Sequence, residues 1–88
     1  MTATRFDYGG LGAVYVADAD GAMVHYIGHV HRTDRGGWNA HRALKPDVFG
    51  RAGQATTRPV ETGWPDRHNA AVALLASFRA RFPTAVAP

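Results

Sequence analysis

The hydrophobic pattern of this 88-residue chain changes its period once, at the tripeptide "GWP" of Gly63 to Pro65. Beyond that point, apolar residues recur with the spacing of one face of an amphipathic helix: Ala71, Leu74, Leu75, Phe78 and Phe82. Asp66 can cap such a helix and Pro83 can end it. The pattern therefore predicts one helix near the C-terminus, buried on one side.

Before this point the chain consists of short β-prone segments separated by turn residues. The segments are 14–17, 23–32, 38–44 and 55–62. Pro59 confines the last segment to a sheet edge or an extended segment, because proline has no N–H for a central strand. "DADG" at 18–21 and "TDRGG" at 33–37 predict hairpin turns, and "KPDVFGRAGQ" at 45–54 predicts a loop. The fold class predicted is α+β, a three- or four-stranded antiparallel sheet with one C-terminal helix packed on one face.

Composition limits the kind of protein this can be. A hydrophobic content of 45% indicates a folded domain, which we expect to cover 1–83, with a frayed tail at 84–88. The absence of cysteine excludes disulfides and thiolate metal sites. No segment is apolar for long enough to be a signal peptide or a membrane span, so we expect a cytoplasmic protein with no membrane partner.

The positive charge of the chain is concentrated in one stretch. The net charge is +3, and all of this excess lies between His25 and Lys45. Four of the five histidines lie there as well and can add charge below a pH of about 6.5. A basic excess of this kind is typical of a polyanion partner, and it is equally typical of the solvated side of a small basic domain.

Strict alternation along the strands assigns side chains to two faces of the sheet. The face toward the helix would hold Val24, Tyr26, Gly28, Val30, Arg32, Trp38, Ala40 and Leu44. The free face would hold Met23, His25, Ile27, His29, His31, Gly37, Asn39, His41, Ala43 and Lys45. A slip of one residue would exchange these faces. The expected core is Tyr26, Val30, Trp38, Ala40, Leu74, Leu75 and Phe78.

Three chemistries compete for the free face. Zinc could use its histidines, but no HExxH motif or cysteine cluster accompanies them, so we expect no metal site and no cofactor. Catalysis lacks a nucleophile beside a recognisable base, so we do not expect an enzyme. Nucleic-acid contact remains, because Arg, His and Asn on a β-ribbon can reach phosphates and base edges.

The segment "YIGHVHRTDRGGWNAHRAL", with "GQATTRPVETGWPDRHNAAVALL" after it, resembles a known kind of domain. It is similar to the three-stranded-sheet-plus-helix DNA-binding domain of plant ethylene-response transcription factors and to the arm-type domains of phage integrases. The matching residues are Gly28, Val30, Gly36 or Gly37, Trp38, Ala40, Ala70 and Ala71. The resemblance implies that the sheet face opposite the helix enters the DNA major groove.

These observations predict a small DNA-binding module that uses the sheet face and the hairpin loop. The predicted nucleic-acid-binding residues are His29, His31, Arg32, Arg35, Asn39, His41, Arg42 and Lys45. The alternative is a protein-interaction domain or small inhibitor, including a homodimer formed through an edge strand, with no nucleic-acid contact.

Overall fold

The computed structural model describes residues 5–17, 24–48 and 54–85. The described residues form five strands and one helix: β1 Phe6–Tyr8, β2 Ala13–Ala17, β3 Val24–Arg32, β4 Trp38–Val48, β5 Glu61–Trp64 and α1 Arg67–Arg81. The strands lie in the sheet in chain order, and each neighbouring pair is antiparallel. The α+β prediction is confirmed, with one more strand than expected because β1 has only three residues, too few for alternation to identify a strand from the sequence.

Two strand boundaries differ from the prediction. Strand β4 continues through 45–48, which the sequence predicts as loop, because Asp47 and Val48 pair with β3. The predicted strand at 55–62 is reduced to one bridge between Ala55 and Ala43, and β5 begins only at Glu61. The predicted turn at 18–21 and most of the predicted loop after Val48, at 49–53, lie outside the described residues.

The helix begins and ends where its capping residues predict. The Asp66 carboxylate accepts a hydrogen bond from the backbone N–H of Asn69 at 2.8 Å and so satisfies one of the free donors of the first turn. The last helical residue is Arg81, two residues before Pro83. Beyond it, Ala85 packs against the core, whereas 86–88, the rest of the predicted frayed tail, lie outside the described residues.

Most of the core lies between the sheet and one side of α1, and the rest of it lies on the other face of the sheet. Its buried apolar residues are Ala13, Val14, Val16, Tyr26, Ile27, Val30, Ala40, Ala43, Ala70, Ala71, Leu74, Leu75 and Phe78. Six of the seven expected core residues are buried, and the seventh, Trp38, is half-buried against the cluster. Leu44, which alternation assigns to the core side, does not belong to the core, because it is 49% exposed, whereas Ala43 is buried.

An irregularity in β3 interrupts the alternation on which the face assignment depends. Val14 of β2 pairs with Gly28, and the next residue, Tyr15, pairs with Tyr26. Ile27 is therefore an extra residue with no partner on β2, which is a β-bulge. A single extra residue exchanges the two faces of every strand position beyond it.

The bulge makes the face assignment wrong for the first part of β3. His25 lies in register with Val16 and Phe6, and the Phe6 ring contacts His68 of α1. Because directly paired residues share a face, His25 lies on the helix side and is buried there, not on the free face. Ile27, also predicted for the free face, is fully buried.

Tyr26 takes the opposite position. Its ring lies beside that of its paired residue Tyr15, with ring centroids 5.7 Å apart, on the face away from the helix. The face assignment is right beyond the bulge, where Gly28 and Val30 face the helix.

Within the described residues, no helix has the length and apolar character needed to cross a membrane.

Candidate functional site

Three histidines stand together on the face of the sheet away from α1. His29 on β3 pairs directly with His41 on β4, and His31 lies two residues further along β3. Between them, Val30 and Ala40 form a pair that is buried toward the helix. Alternation therefore turns the three imidazoles to the other side, and we call His29, His31 and His41 the histidine cluster.

The rings of the histidine cluster are stacked side by side. The centroids of His29 and His41 lie 4.5 Å apart with 17° between the ring planes. Those of His31 and His41 lie 4.8 Å apart at 28°. One nitrogen from each ring can be chosen so that all three atoms lie within 4.8 Å of one another. Exposure increases from the buried His41 through the half-buried His29 to the exposed His31, so the cluster opens to solvent on the side of His31.

A backbone hydrogen bond orients the His41 ring. Its Nδ1 lies 2.8 Å from the carbonyl oxygen of Thr56, in the segment that follows β4. A carbonyl oxygen only accepts, so Nδ1 carries the proton and donates. In the neutral ring, Nε2 then holds a lone pair, and this atom is buried without a hydrogen-bond partner among the described residues.

The surroundings of His29 disfavour its charged form. Burial lowers the pKa of His29 below its usual value, and the neighbouring His41 and His31 lower it further. The ring of His29 is therefore neutral at pH 7. It gains charge only at a lower pH than the ordinary imidazole value on which the sequence-based expectation was founded.

The other predicted site residues do not all lie on the face of the histidine cluster. Asn39 pairs with His31 and shares its face, half-buried. Arg32 and Arg42 pair with Trp38 and Gly28 and so belong to the helix side.

The cations differ in how far they reach solvent. Arg32, Arg35 in the hairpin loop, and Lys45 are exposed. Arg42 is half-buried, and its Nε is buried without a hydrogen-bond partner among the described residues. None of these four cations forms an ion pair with a described acidic side chain.

The hairpin loop between β3 and β4 is closed by two backbone hydrogen bonds. The Thr33 N–H donates to the Gly37 carbonyl at 2.7 Å, and the Gly36 N–H donates to the Thr33 carbonyl at 3.0 Å. Gly36 has a φ of 88°, a conformation that glycine adopts without steric cost. The loop therefore holds Arg35 in a defined turn at the tip of the hairpin.

Comparison with known proteins gives no further guidance. The chain matches no known family model, no curated protein and no solved structure. The resemblance to ethylene-response and integrase domains therefore stays a prediction, and the site has to be interpreted from its own geometry.

Sequence reasoning found the three histidines but not the group that orients them. Thr56 contributes its backbone carbonyl. Every residue has this group, so the residue type at position 56 gives no signal in the sequence. Its role depends on 54–56 running beside β4, which is visible in the bridge between Ala43 and Ala55 and in the bonds from Leu44 N–H to Gln54 and from Thr56 N–H to Arg42.

Proposed function

We propose that this chain is a small DNA-binding module that contacts duplex DNA with the β3–β4 hairpin. The observation that carries the proposal is the combination of a polar sheet face with exposed cations that have no described acidic partner. Free cations of this kind release counterions when they meet phosphates, which is the main source of affinity for DNA.

The two kinds of residue would have different roles. Arg32, Arg35 and Lys45 would contact phosphates, because their exposed side chains lie along the hairpin and near the end of β4. His31 and Asn39, paired across the two strands, would reach base edges in the major groove, which admits a two-stranded ribbon. The buried His41 and the half-buried Arg42 would take no direct part.

The proposal is tested by fluorescence anisotropy with a random DNA duplex at two salt concentrations. The double variant R32A/R35A should bind more weakly than the wild type. The slope of log K against log salt should fall by up to about 2, since each lost phosphate contact removes about 0.9. The matched control is R58A/R81A, which removes two exposed arginines that lie outside the hairpin and form no ion pair with a described acidic side chain. Equal losses in the two double variants would mean unspecific charge attraction and would contradict the proposal.

A protein-interaction function is the second candidate. Three large apolar side chains of the described residues are exposed, Leu11, Leu44 and Val72, and exposed apolar side chains can contribute to a protein interface. This candidate predicts no DNA binding at low salt and a molecular mass that rises with concentration in sedimentation experiments. A mass that stays monomeric would exclude self-association.

A further inference from the structure

The histidine cluster has the composition and the position of a metal site. Three imidazoles converge from two adjacent strands, and they are neutral ligands of the type that zinc and other late divalent transition metals prefer. Their nitrogen atoms lie within 4.8 Å of one another, although neighbours two apart on a strand are separated by roughly 6.5–7 Å at the backbone. The side chains therefore bring the imidazole nitrogens much closer together than the backbone positions are, as binding of one shared ion requires.

The remaining adjustment is small. Nitrogen ligands at about 2.0–2.1 Å from a tetrahedral Zn²⁺ lie about 3.4 Å from one another. Closing from within 4.8 Å to that separation needs tilts of the imidazole rings with no change of strand register. His31 is exposed and His29 half-buried, so both rings have room to tilt toward the buried His41.

His41 supplies a second, independent observation. Its Nδ1–H is held by the Thr56 carbonyl, and its Nε2 lone pair is buried with no hydrogen-bond partner among the described residues. A metal-bound histidine commonly has this arrangement, in which one ring nitrogen donates to a carbonyl and the other binds the ion. A metal ion would satisfy an atom that the described part of the protein leaves without a partner.

We propose that His29, His31 and His41 bind one divalent transition-metal ion, with Zn²⁺ as the first choice. The donor set is three imidazole nitrogens, because the chain has no cysteine and no acidic side chain belongs to the described cluster. The site is open on the side of His31, where water would complete a four-coordinate shell. The proposal reverses the sequence-based expectation of no metal site, and it does not depend on DNA binding.

The test is equilibrium dialysis and calorimetry with ZnCl₂, using protein without an affinity tag after removal of metals by EDTA. The wild type should bind one Zn²⁺ per chain, and its melting temperature should rise with Zn²⁺ concentration, because a ligand of the folded state stabilises it. H31A should weaken binding by at least about 10-fold, since even changing a residue behind the ligand commonly costs that much. His31 is exposed, so H31A should keep the circular dichroism spectrum of the wild type.

The matched control is H68A, which removes an exposed histidine on α1 that lies outside the cluster. It should bind Zn²⁺ as the wild type does. Imidazole ¹⁵N NMR gives a second measurement, in which Zn²⁺ should shift Nε2 of His41 while Nδ1 stays protonated.

Three results would overturn the proposal. One is a folded wild type that retains no Zn²⁺ at micromolar free ion. Another is equal binding by the wild type and H31A, and the third is an equal loss of binding in H31A and H68A. None of these results bears on DNA binding, which is measured separately with the arginine variants.

Discussion

At the residue scale, Gly28 allows the backbones of β3 and β4 to approach closely at the bulge. Its φ is 141°, a conformation that side-chain-bearing residues rarely adopt, and a Cβ there would collide with the backbone carbonyl oxygen of His41. Glycine is needed at this position because its close neighbour is the backbone of β4.

Replacing Gly28 with alanine should destabilise the protein by about 2–4 kcal/mol, since the strained φ and the collision both add cost. Chemical denaturation followed by circular dichroism measures this loss. G10A is the matched control, because a Cβ at Gly10 meets nothing within 4 Å, and its effect should stay within about 0.5 kcal/mol. Similar stabilities for G28A and G10A would show that the strands can separate at the bulge without cost.

At the scale of elements, α1 and β3 illustrate two different kinds of determination. The helix follows from signals within its own segment, an N-terminal cap, an apolar stripe and a terminating proline. The pairing of β3 with β2 shifts by one residue at Ile27. The face on which a β3 side chain lies therefore depends on whether it comes before or after Ile27. The helix can thus be predicted from its own segment, whereas the faces of β3 can be assigned only when its pairing with the neighbouring strands is known.

The cap of α1 offers a test at this scale. D66A should cost about 1 kcal/mol of unfolding free energy, because it removes the acceptor for the Asn69 N–H. D66N keeps an acceptor oxygen at the same position and should lose less than half as much. Thermal or urea denaturation measures both variants, and equal losses would show that the charge of Asp66 matters more than its hydrogen bond.

At the scale of the whole molecule, sheet and helix depend on one another. An 88-residue chain has a modest core, and most of the large apolar side chains of α1 contribute to it. Leu74, Leu75 and Phe78 are buried, while Val72 on the same helix is 47% exposed. The helix is thus stabilised chiefly by its packing on the sheet.

Truncating Leu75 to alanine should destabilise the whole molecule by about 2–5 kcal/mol, because it leaves a cavity between the two layers. V72A is the control on the solvent side and should change stability by no more than about 0.5 kcal/mol. Urea denaturation should report the same loss for L75A by tryptophan fluorescence and by far-ultraviolet circular dichroism. Different midpoints by the two methods would contradict cooperative unfolding of sheet and helix.

The sequence by itself determined the fold class, the helix with both its ends, and the histidines as the unusual feature of the chain. These depend on local signals, since a helix period, a cap and a proline act within a few residues. It also determined correctly that His29, His31 and His41 share a face, because all three lie beyond the bulge.

Only the tertiary structure decided on which face of the sheet the side chains of the first half of β3 lie. It places His25 on the helix side, away from the histidine cluster. It alone brought the Thr56 carbonyl to the ring of His41 and left one buried nitrogen without a described partner. The physical reason is that a bulge and a cross-strand hydrogen bond depend on how separate segments pair, and residue types along one segment do not encode the register of the next.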